Sequence, residues 1–327
     1  MNFKRKLLIF LISFIFIIPY NAWAYPKYLI PGGENIGIKV ESQGIFVVGF
    51  YPVAGHNIAE EAGCRLGDRI ISVNGNKVNN ISDLVKNIKS EDDKIEIKYG
   101  IIRNDKNSFV EMNLSKDTFG SYKTGIYVKD TITGIGTLTF INPEDNSYGA
   151  LGHEVAENNT GETFTLGKGT IFESSITSID KASFGKPGEK NAKINMNSIY
   201  GNIKENLETG IYGQIEKEIT QEKTIEVMNI DEVKIGKAEI ITVLDDNKKE
   251  KYAIEILSID KDNPTKNFFI KVVDSRLLSK TGGIVKGMSG SPIIQNGKLV
   301  GAITHTIVDN PEKGFGISII KMLESVE

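Results

Sequence analysis

The chain has 327 residues, of which 40% are hydrophobic and 25% are charged, so it is long enough for two globular domains. Its formal net charge of −3 provides no positive field, which argues against nucleic acid as a partner. The single cysteine, Cys64, cannot form an intramolecular disulfide. The three histidines are scattered and lack the companions of a zinc site, so we expect no metal and no cofactor.

The first 24 residues have the order of an export signal. Basic residues at 4–6 precede an apolar run at 7–18, and the small-residue sequence Ala-Trp-Ala follows at 22–24. The apolar run is shorter than the roughly 20 residues that span a bilayer. We therefore expect residues 1–24 to be a signal peptide, or an N-terminal membrane anchor if they are retained, and the remainder to work outside the cytoplasm.

Strand patterns dominate the rest of the chain. An apolar, β-branched run at 44–50 predicts a strand, and a second run at 69–73 leads into Asn-Gly at 74–75, a strong signal for a type I′ turn. Residues 82–88 have the apolar spacing of a helix. From about Lys116 onward the pattern is almost entirely short strands separated by turns, which indicates barrels or a sandwich and places a domain boundary near 116–118.

A glycine-flanked serine is the strongest candidate for chemistry. The sequence Gly-Met-Ser-Gly-Ser-Pro at 287–292 lies before an apolar strand, where a tight loop can hold the Ser289 hydroxyl outward. The backbone N–H groups of Gly287 and Ser289 are the natural donors to an oxyanion formed during acyl transfer. The alternative interpretation is an ordinary hairpin loop, and Ser291 is a second hydroxyl in the same segment.

A nucleophilic serine needs a base, and two histidines compete for that role. His153 follows an apolar run and a glycine, and is the preferred base, whereas His305 follows the serine hairpin directly. The base is usually oriented by a carboxylate, for which Asp274 is the preferred candidate; its other interpretation is a helix N-cap. The sequence leaves three further aspartates open, namely Asp130, Asp180 and Asp309.

Four segments together resemble the stage IV sporulation protein B family of serine peptidases, within the trypsin-like superfamily. They lie at 134–140, 149–153, 281–292 and 301–305, and the resemblance covers nearly the whole chain. It implies a catalytic triad of His153, Asp274 and Ser289, with Ser289 rather than Ser291 as the nucleophile. Asp274 departs from the usual trypsin-like order, because those enzymes carry the acid between the histidine and the second barrel.

The region before this resembles a PDZ domain, through 44–48, 62–75 and the helix at 82–88. The two resemblances imply a mainly β protein, with a PDZ domain at 30–116 followed by a trypsin-like double β-barrel at 117–327. Residues Asn35, Ile36, Gly37 and Ile38 resemble the carboxylate loop of PDZ domains. They would therefore bind a peptide or the C-terminal tail of a partner.

The family also implies a biological role. The enzyme would be exported across the forespore membrane into the intermembrane space and cleave a membrane-associated regulatory protein during sporulation. That cleavage would activate intramembrane processing of a late mother-cell sigma factor, and self-cleavage near the N-terminus would be expected. The alternative is a non-enzymatic PDZ tether with a degenerate protease-like β domain, against which the presence of Ser289 and His153 argues.

Overall fold

The computed structural model of the protein describes residues 25–89, 96–157, 159–219, 223–245 and 248–326. The predicted export signal at 1–24 lies outside the described residues and stays a prediction. Within the described part of the chain, no helix is both long and apolar enough to cross a membrane.

Strands make up most of the described chain, with short helices between them. The strands are β1 (Tyr28–Pro31), β2 (Asn35–Phe50), β3 (Arg69–Val73), β4 (Asn76–Lys77), β5 (Glu96–Arg103), β6 (Lys106–Asn113), β7 (Ser115–Lys116), β8 (Tyr122–Lys123), β9 (Ile126–Ile141), β10 (Ser147–Ala150), β11 (Leu166–Asp180), β12 (Glu189–Leu207), β13 (Gly210–Ile215), β14 (Ile225–Glu226), β15 (Gly236–Val243), β16 (Lys249–Ile259), β17 (Phe268–Val272), β18 (Pro292–Gln295), β19 (Lys298–Ile307) and β20 (Asn310–Ser318). The helices are α1 (Ile58–Glu61), α2 (Ile81–Lys89), a 3-10 turn (Ile230–Glu232), α3 (Ser275–Thr281) and α4 (Ile319–Glu324).

The first barrel is a ring of antiparallel strands in the order β9, β10, β13, β12, β11 and β2. The ring closes because β2 also pairs with β9. Ile36, Ile38 and Val40 alternate along β2 and point into the barrel core, where they pack with Leu138 of β9 and Ile171 of β11. The period-2 pattern thus places one face of each strand in the core.

The second barrel is closed by β15, β16, β17, β20, β19 and β18. Its core contains apolar residues such as Ile240, Ile256 and Phe268, none of which is exposed to solvent. A separate apolar cluster joins the two barrels, because Phe140 and Tyr212 of the first barrel pack in one group with residues of the second. The prediction of a mainly β protein with two β-barrels is confirmed.

The predicted PDZ segment shares its strands with the first barrel. Residues 46–50 of β2 pair with 126–129 of β9, and these two stretches continue into the sheet formed by β3, β5 and β6. The Asn74-Gly75 turn predicted from sequence is present, since both residues have positive φ angles of 49° and 84°. The segment at 30–116 is therefore not separate in space, because its first residues form β1 and the barrel half of β2.

Candidate active site

Ser289 lies in a loop, residues 282–291, between α3 and β18. The loop is tied together by its own backbone, with Met288 N donating to Val285 O at 3.1 Å and Ser291 N to Met288 O at 2.9 Å. Gly290 has a φ of +93°, and a β-carbon there would lie 2.0 Å from the carbonyl oxygen of Thr137. Only glycine allows so close an approach to the first barrel. Ser289 is partly exposed, whereas Ser291 is completely buried.

Strand β9 holds this loop from the side of the first barrel. Thr137 N donates to Ser289 O at 2.9 Å, and the Thr137 hydroxyl donates to Gly287 O at 2.8 Å. Two residues further along, the Thr139 hydroxyl donates to Gly290 O at 2.8 Å. Because both threonines are fully buried, these bonds fix the loop at the junction of the two barrels.

The backbone N–H groups of Gly287 and Ser289, on either side of Met288, have no acceptor among the described residues. The N–H groups of Met288, Gly290 and Ser291 all donate to carbonyls, but those of Gly287 and Ser289 donate to no acceptor in the described residues. Paired, unoccupied N–H donors beside a hydroxyl are the arrangement that stabilises an oxyanion. The structure therefore leaves free the two groups that the sequence predicted as an oxyanion hole.

His153 follows β10 after a sharp turn. Leu151 and Gly152 both have left-handed φ angles, of 68° and 72°, and they carry the chain away from the strand. The Nδ1 atom of His153 lies 2.8 Å from the carbonyl oxygen of Glu154. A carbonyl can only accept, so Nδ1 carries the proton and Nε2 keeps its lone pair. Burial lowers the pKa of His153 from its usual 6.5 and so favours the neutral ring. The hydrogen bond and charge of Glu154 raise this pKa, but burial has the larger effect.

Ser289, His153 and His305 meet at Thr304. The Ser289 hydroxyl donates to Thr304 O at 2.8 Å, and a β-carbon on Gly152 would lie 2.8 Å from the Thr304 methyl group. The rings of His153 and His305 have their centroids 5.2 Å apart. Desolvation, together with the positive charges of His153 and Lys266, lowers the pKa of His305 to about 4. The fold thus gathers the predicted serine with both candidate bases.

Asp274, the predicted triad acid, lies at the N-terminus of α3. Its carboxylate caps α3 by accepting from the backbone of Arg276 at 2.9 Å, and it forms an ion pair with the Arg276 guanidinium, also at 2.9 Å. The Arg276 hydrogen bond is the main reason why the pKa of Asp274 falls to about 2. None of its hydrogen bonds within the described residues involves a histidine. The structure therefore shows Asp274 as the N-cap of α3, and its role as the triad acid stays a prediction.

Two of the other aspartates are occupied elsewhere. Asp130 accepts from Ile81 N at 2.8 Å, at the start of α2, and Asp180 accepts from the Asn191 amide at 3.1 Å. Within the described residues, the group that contacts Nδ1 of His153 is a main-chain carbonyl, which sequence patterns cannot identify. No cluster of metal-ligand residues exists in the part of the chain that the structure describes.

The predicted PDZ carboxylate loop lies in a strand of the first barrel. Asn35, Ile36, Gly37 and Ile38 lie in β2, where they pair with β9 on one side and, from Ile36 onward, with β11 on the other. Both backbone edges are therefore in use, and no peptide can add there. The motif resembled a loop, but its alternating apolar residues fill the barrel core instead.

A different edge is open. Residues 126–133 of β9 pair with β2, and the structure describes no strand on their other side. Helix α2 lies alongside, since Asp130 of β9 binds the first residue of that helix. The sequence does offer a signal, because Gly125-Ile126 repeats the Gly-Ile pattern of 37–38 and Gly125 has a left-handed φ of 72°.

Comparisons with solved structures gave distant similarities. The PDZ domain of an SdrC-like protein from Listeria monocytogenes is 22% identical, with 28% of this chain and 93% of that one covered and a TM-score of 0.24. The active form of the Rv3671c protease from M. tuberculosis is 15% identical, with coverages of 60% and 73% and a TM-score of 0.34. The HtrA-type protease AlgW with decapeptide is 12% identical, with coverages of 64% and 57% and a TM-score of 0.33.

The comparison with curated proteins gave no match. Two family models match the chain itself, the PDZ domain at residues 35–114 and the SpoIVB peptidase S55 family at residues 120–323. The second match spans more than half of the chain. The chain therefore belongs to the SpoIVB peptidase S55 family and is a serine endopeptidase that carries a PDZ domain.

Proposed function

We propose that Ser289 is the nucleophile of this peptidase, His153 its general base, and the N–H groups of Gly287 and Ser289 its oxyanion hole. The observation that carries the proposal is the pair of unoccupied N–H groups beside a partly exposed hydroxyl. Ser291 is unsuited to the role because it is completely buried. His153 is the more suitable base, because the Glu154 carbonyl holds the proton on its Nδ1 and so leaves its Nε2 free to accept one. His305 is therefore the less suitable base.

The reaction follows from these positions. Ser289 Oγ attacks the carbonyl carbon of the substrate as its proton passes to His153 Nε2, and the carbonyl oxygen becomes an oxyanion held by the two N–H groups. The C–N bond then breaks, and the amine leaves with the proton from Nε2. Water hydrolyses the resulting ester, with His153 accepting the proton of the water and returning it to Ser289. Each oxyanion donor contributes roughly 3–4 kcal/mol to transition-state stabilisation.

The proposed nucleophile would start from a hydroxyl that is hydrogen-bonded to the main chain. The Ser289 hydroxyl donates its proton in a hydrogen bond to Thr304 O, so it must rotate about the Cα–Cβ bond before His153 can accept that proton. Rotation about this one side-chain bond would release the hydroxyl from Thr304 O. A substrate carbonyl in the oxyanion hole would favour the rotated state.

A serine-directed fluorophosphonate tests the assignment of the nucleophile. We expect covalent labelling of the wild-type chain at Ser289, complete loss in Ser289→Ala, and a reduced but measurable rate in Ser291→Ala, which changes only the loop geometry. Labelling is followed by intact-protein mass. A non-enzymatic PDZ tether predicts no labelling of the wild-type chain, and retained labelling in Ser289→Ala would contradict the proposal.

We propose further that the substrate is a membrane-associated regulatory protein cleaved during sporulation, after export into the space between forespore and mother cell. Family membership and the basic, apolar, small-residue order of 1–24 support this. Cleavage would activate intramembrane processing of a late mother-cell sigma factor, and the enzyme would also cleave itself. The N-terminal mass of the mature wild-type chain, compared with that of Ser289→Ala, separates signal removal from self-cleavage.

A peptide or C-terminal tail is the proposed partner of the PDZ region, at the open edge of β9 rather than at Asn35–Ile38. An extended peptide would pair with residues 126–133 and lie against α2, where Val85 is 41% exposed. A fluorescein-labelled peptide that ends in three valines, measured by anisotropy, provides the test. Val85→Asp should weaken binding, Lys86→Asp on the same helix should not, and equal affinities in both variants would contradict this location.

A further inference from the structure

Lys190, the second residue of β12, is a buried lysine without a carboxylate partner. Its side chain is 1% exposed, and Nζ donates to the Thr242 hydroxyl of β15 at 2.9 Å. Among the described residues it forms no ion pair, and burial lowers its pKa to about 7. Burial of an amine in this way is costly, and an apolar side chain of the same length would avoid the cost. Such a violation of packing rules is expected mainly at functional positions.

The surroundings of Lys190 connect it to the oxyanion hole. Its backbone N–H donates to Lys286 O at 2.9 Å, and Lys286 N donates in return to Gly188 O at 2.9 Å. A β-carbon on Gly287 would lie 3.2 Å from Lys190 Cβ and 3.3 Å from its Cδ. The aliphatic stem of the lysine therefore packs directly beneath Gly287.

These contacts set the direction of one oxyanion donor. In a trans peptide the carbonyl of one residue and the N–H of the next point in opposite directions. Since Lys286 O faces the backbone of Lys190, the Gly287 N–H must point away from β12, which leaves it unoccupied. If this peptide flipped, the carbonyl would replace the N–H, and the oxyanion hole would lose one donor.

We infer that Lys190 is a positioning residue, whose amine, anchored on Thr242, holds its stem under Gly287 and so keeps the Gly287 N–H directed into the oxyanion hole. The inference rests on the proposed function of Gly287 as an oxyanion donor. The amine also ties the first barrel, through β12, to β15 of the second, at the point where the oxyanion loop crosses between them. A methionine would fill the same space without this anchor.

The test uses the full chain and the maximal rate of fluorophosphonate labelling, whose phosphonyl oxygen occupies the oxyanion hole. Lys190→Met should lower that rate by about fivefold or more, with the half-saturating probe concentration changed by less than about twofold, since only the transition state uses the donor. Thr242→Val should act in the same direction, whereas Thr242→Ser keeps the hydroxyl and should retain the rate. Lys193→Met, an exposed position on the same strand, is the matched control.

If Lys190 only stabilised the fold, Lys190→Met would lower the melting temperature and leave the labelling rate of the folded protein unchanged. The inference predicts the opposite pattern. Removing a buried amine should leave the melting temperature of Lys190→Met equal to or above that of the wild type, so a slower rate could not be ascribed to unfolding. Wild-type rates in Lys190→Met and in Thr242→Val would overturn the inference. If Lys190→Met does not fold, the Thr242→Val and Thr242→Ser pair decides the question. Absence of labelling in the wild-type chain would contradict the proposed nucleophile instead.

Discussion

The Nδ1 proton of His153 is held by a main-chain carbonyl, at 2.8 Å from Glu154 O. A carboxylate in that position would orient the ring and also stabilise the imidazolium that forms during the reaction, whereas a carbonyl mainly orients it. Because burial lowers its pKa, the His153 ring stays neutral to lower pH than an exposed histidine. At this scale the proposed site is a serine and a histidine supported by backbone groups.

The two histidines can be separated by mutation and pH. His153→Ala should reduce the fluorophosphonate labelling rate by roughly 100-fold or more, and His305→Ala should retain most of it. Because burial lowers the pKa of His153 and only the neutral ring accepts a proton, the wild-type rate should rise with pH to a plateau, with a midpoint below 6.5. A midpoint above 6.5, or loss of labelling in His305→Ala alone, would contradict this assignment.

Asp274 should act through the helix that it caps. Asp274→Ala should lower the free energy of unfolding by about 1 kcal/mol, and Asp274→Asn, which can still cap, by less. Because the pKa of Asp274 falls to about 2, its contribution should be present above its ordinary pKa of 3.8 and be lost as the pH falls toward 2. Urea unfolding at pH 7 and pH 2.5 measures both effects.

The same variants also test the triad role. If Asp274 oriented His153, Asp274→Asn would reduce the labelling rate by about 10⁴-fold, as loss of a triad carboxylate does. A cap role predicts labelling close to the wild-type rate in Asp274→Asn. The two roles thus differ by orders of magnitude in one measurement.

At the scale of elements, the two halves of β9 contact different parts of the protein. Its first half pairs with β2 next to α2 and offers the open edge, while its second half binds the backbone of the Ser289 loop through Thr137 and Thr139. A single strand therefore runs from the PDZ region to the oxyanion hole. The loop derives its shape from this strand as much as from its own glycines.

Removal of the Thr137 hydroxyl from β9 should lower both the stability of the protein and the labelling rate of Ser289. Thr137→Val leaves Gly287 O without its side-chain donor, which should cost about 1–3 kcal/mol in a buried site and slow the labelling of Ser289. Thr133→Val lies on the exposed part of the same strand and provides the matched control. Labelling rates and melting temperatures of the two variants give the comparison, and equal values in both would show that β9 does not brace the loop.

At the scale of the whole molecule, the PDZ region is an insertion into the β2–β9 hairpin. Glu41 pairs with Thr131 before the register of the β2–β9 pair shifts, and β3, β4, β5 and β6 lie between these two residues in sequence. Strand β1, which precedes β2, belongs to the barrel sheet. The insertion therefore interrupts the first barrel in sequence without interrupting it in space.

Two deletions should behave differently. Replacing 42–130 by an Asn-Gly turn joins paired residues of a hairpin, so the shortened chain should fold and retain fluorophosphonate labelling. Deleting 30–116 removes all of β2 and should abolish cooperative thermal unfolding, because the barrel can no longer close. Circular dichroism melts of both chains provide the test, and folding of the second chain would show that β2 is dispensable.

Much of this protein is determined by sequence alone. Alternating apolar residues specify strands that bury one face, Asn74-Gly75 specifies its turn, and the glycines around Ser289 specify a tight loop, because each depends on local backbone preferences and on burial. The motif at 281–292 was sufficient to select Ser289 over Ser291, and the later burial of Ser291 agrees with that selection.

Only the tertiary structure decided what each local motif contacts. Asp274 caps α3 and residues 35–38 fill a barrel strand, although both matched functional patterns, because neighbours distant in sequence supply their partners. The carbonyl at His153 and the buried amine of Lys190 beneath Gly287 have no sequence signature, since backbone groups are present at every position and burial depends on the packed barrels.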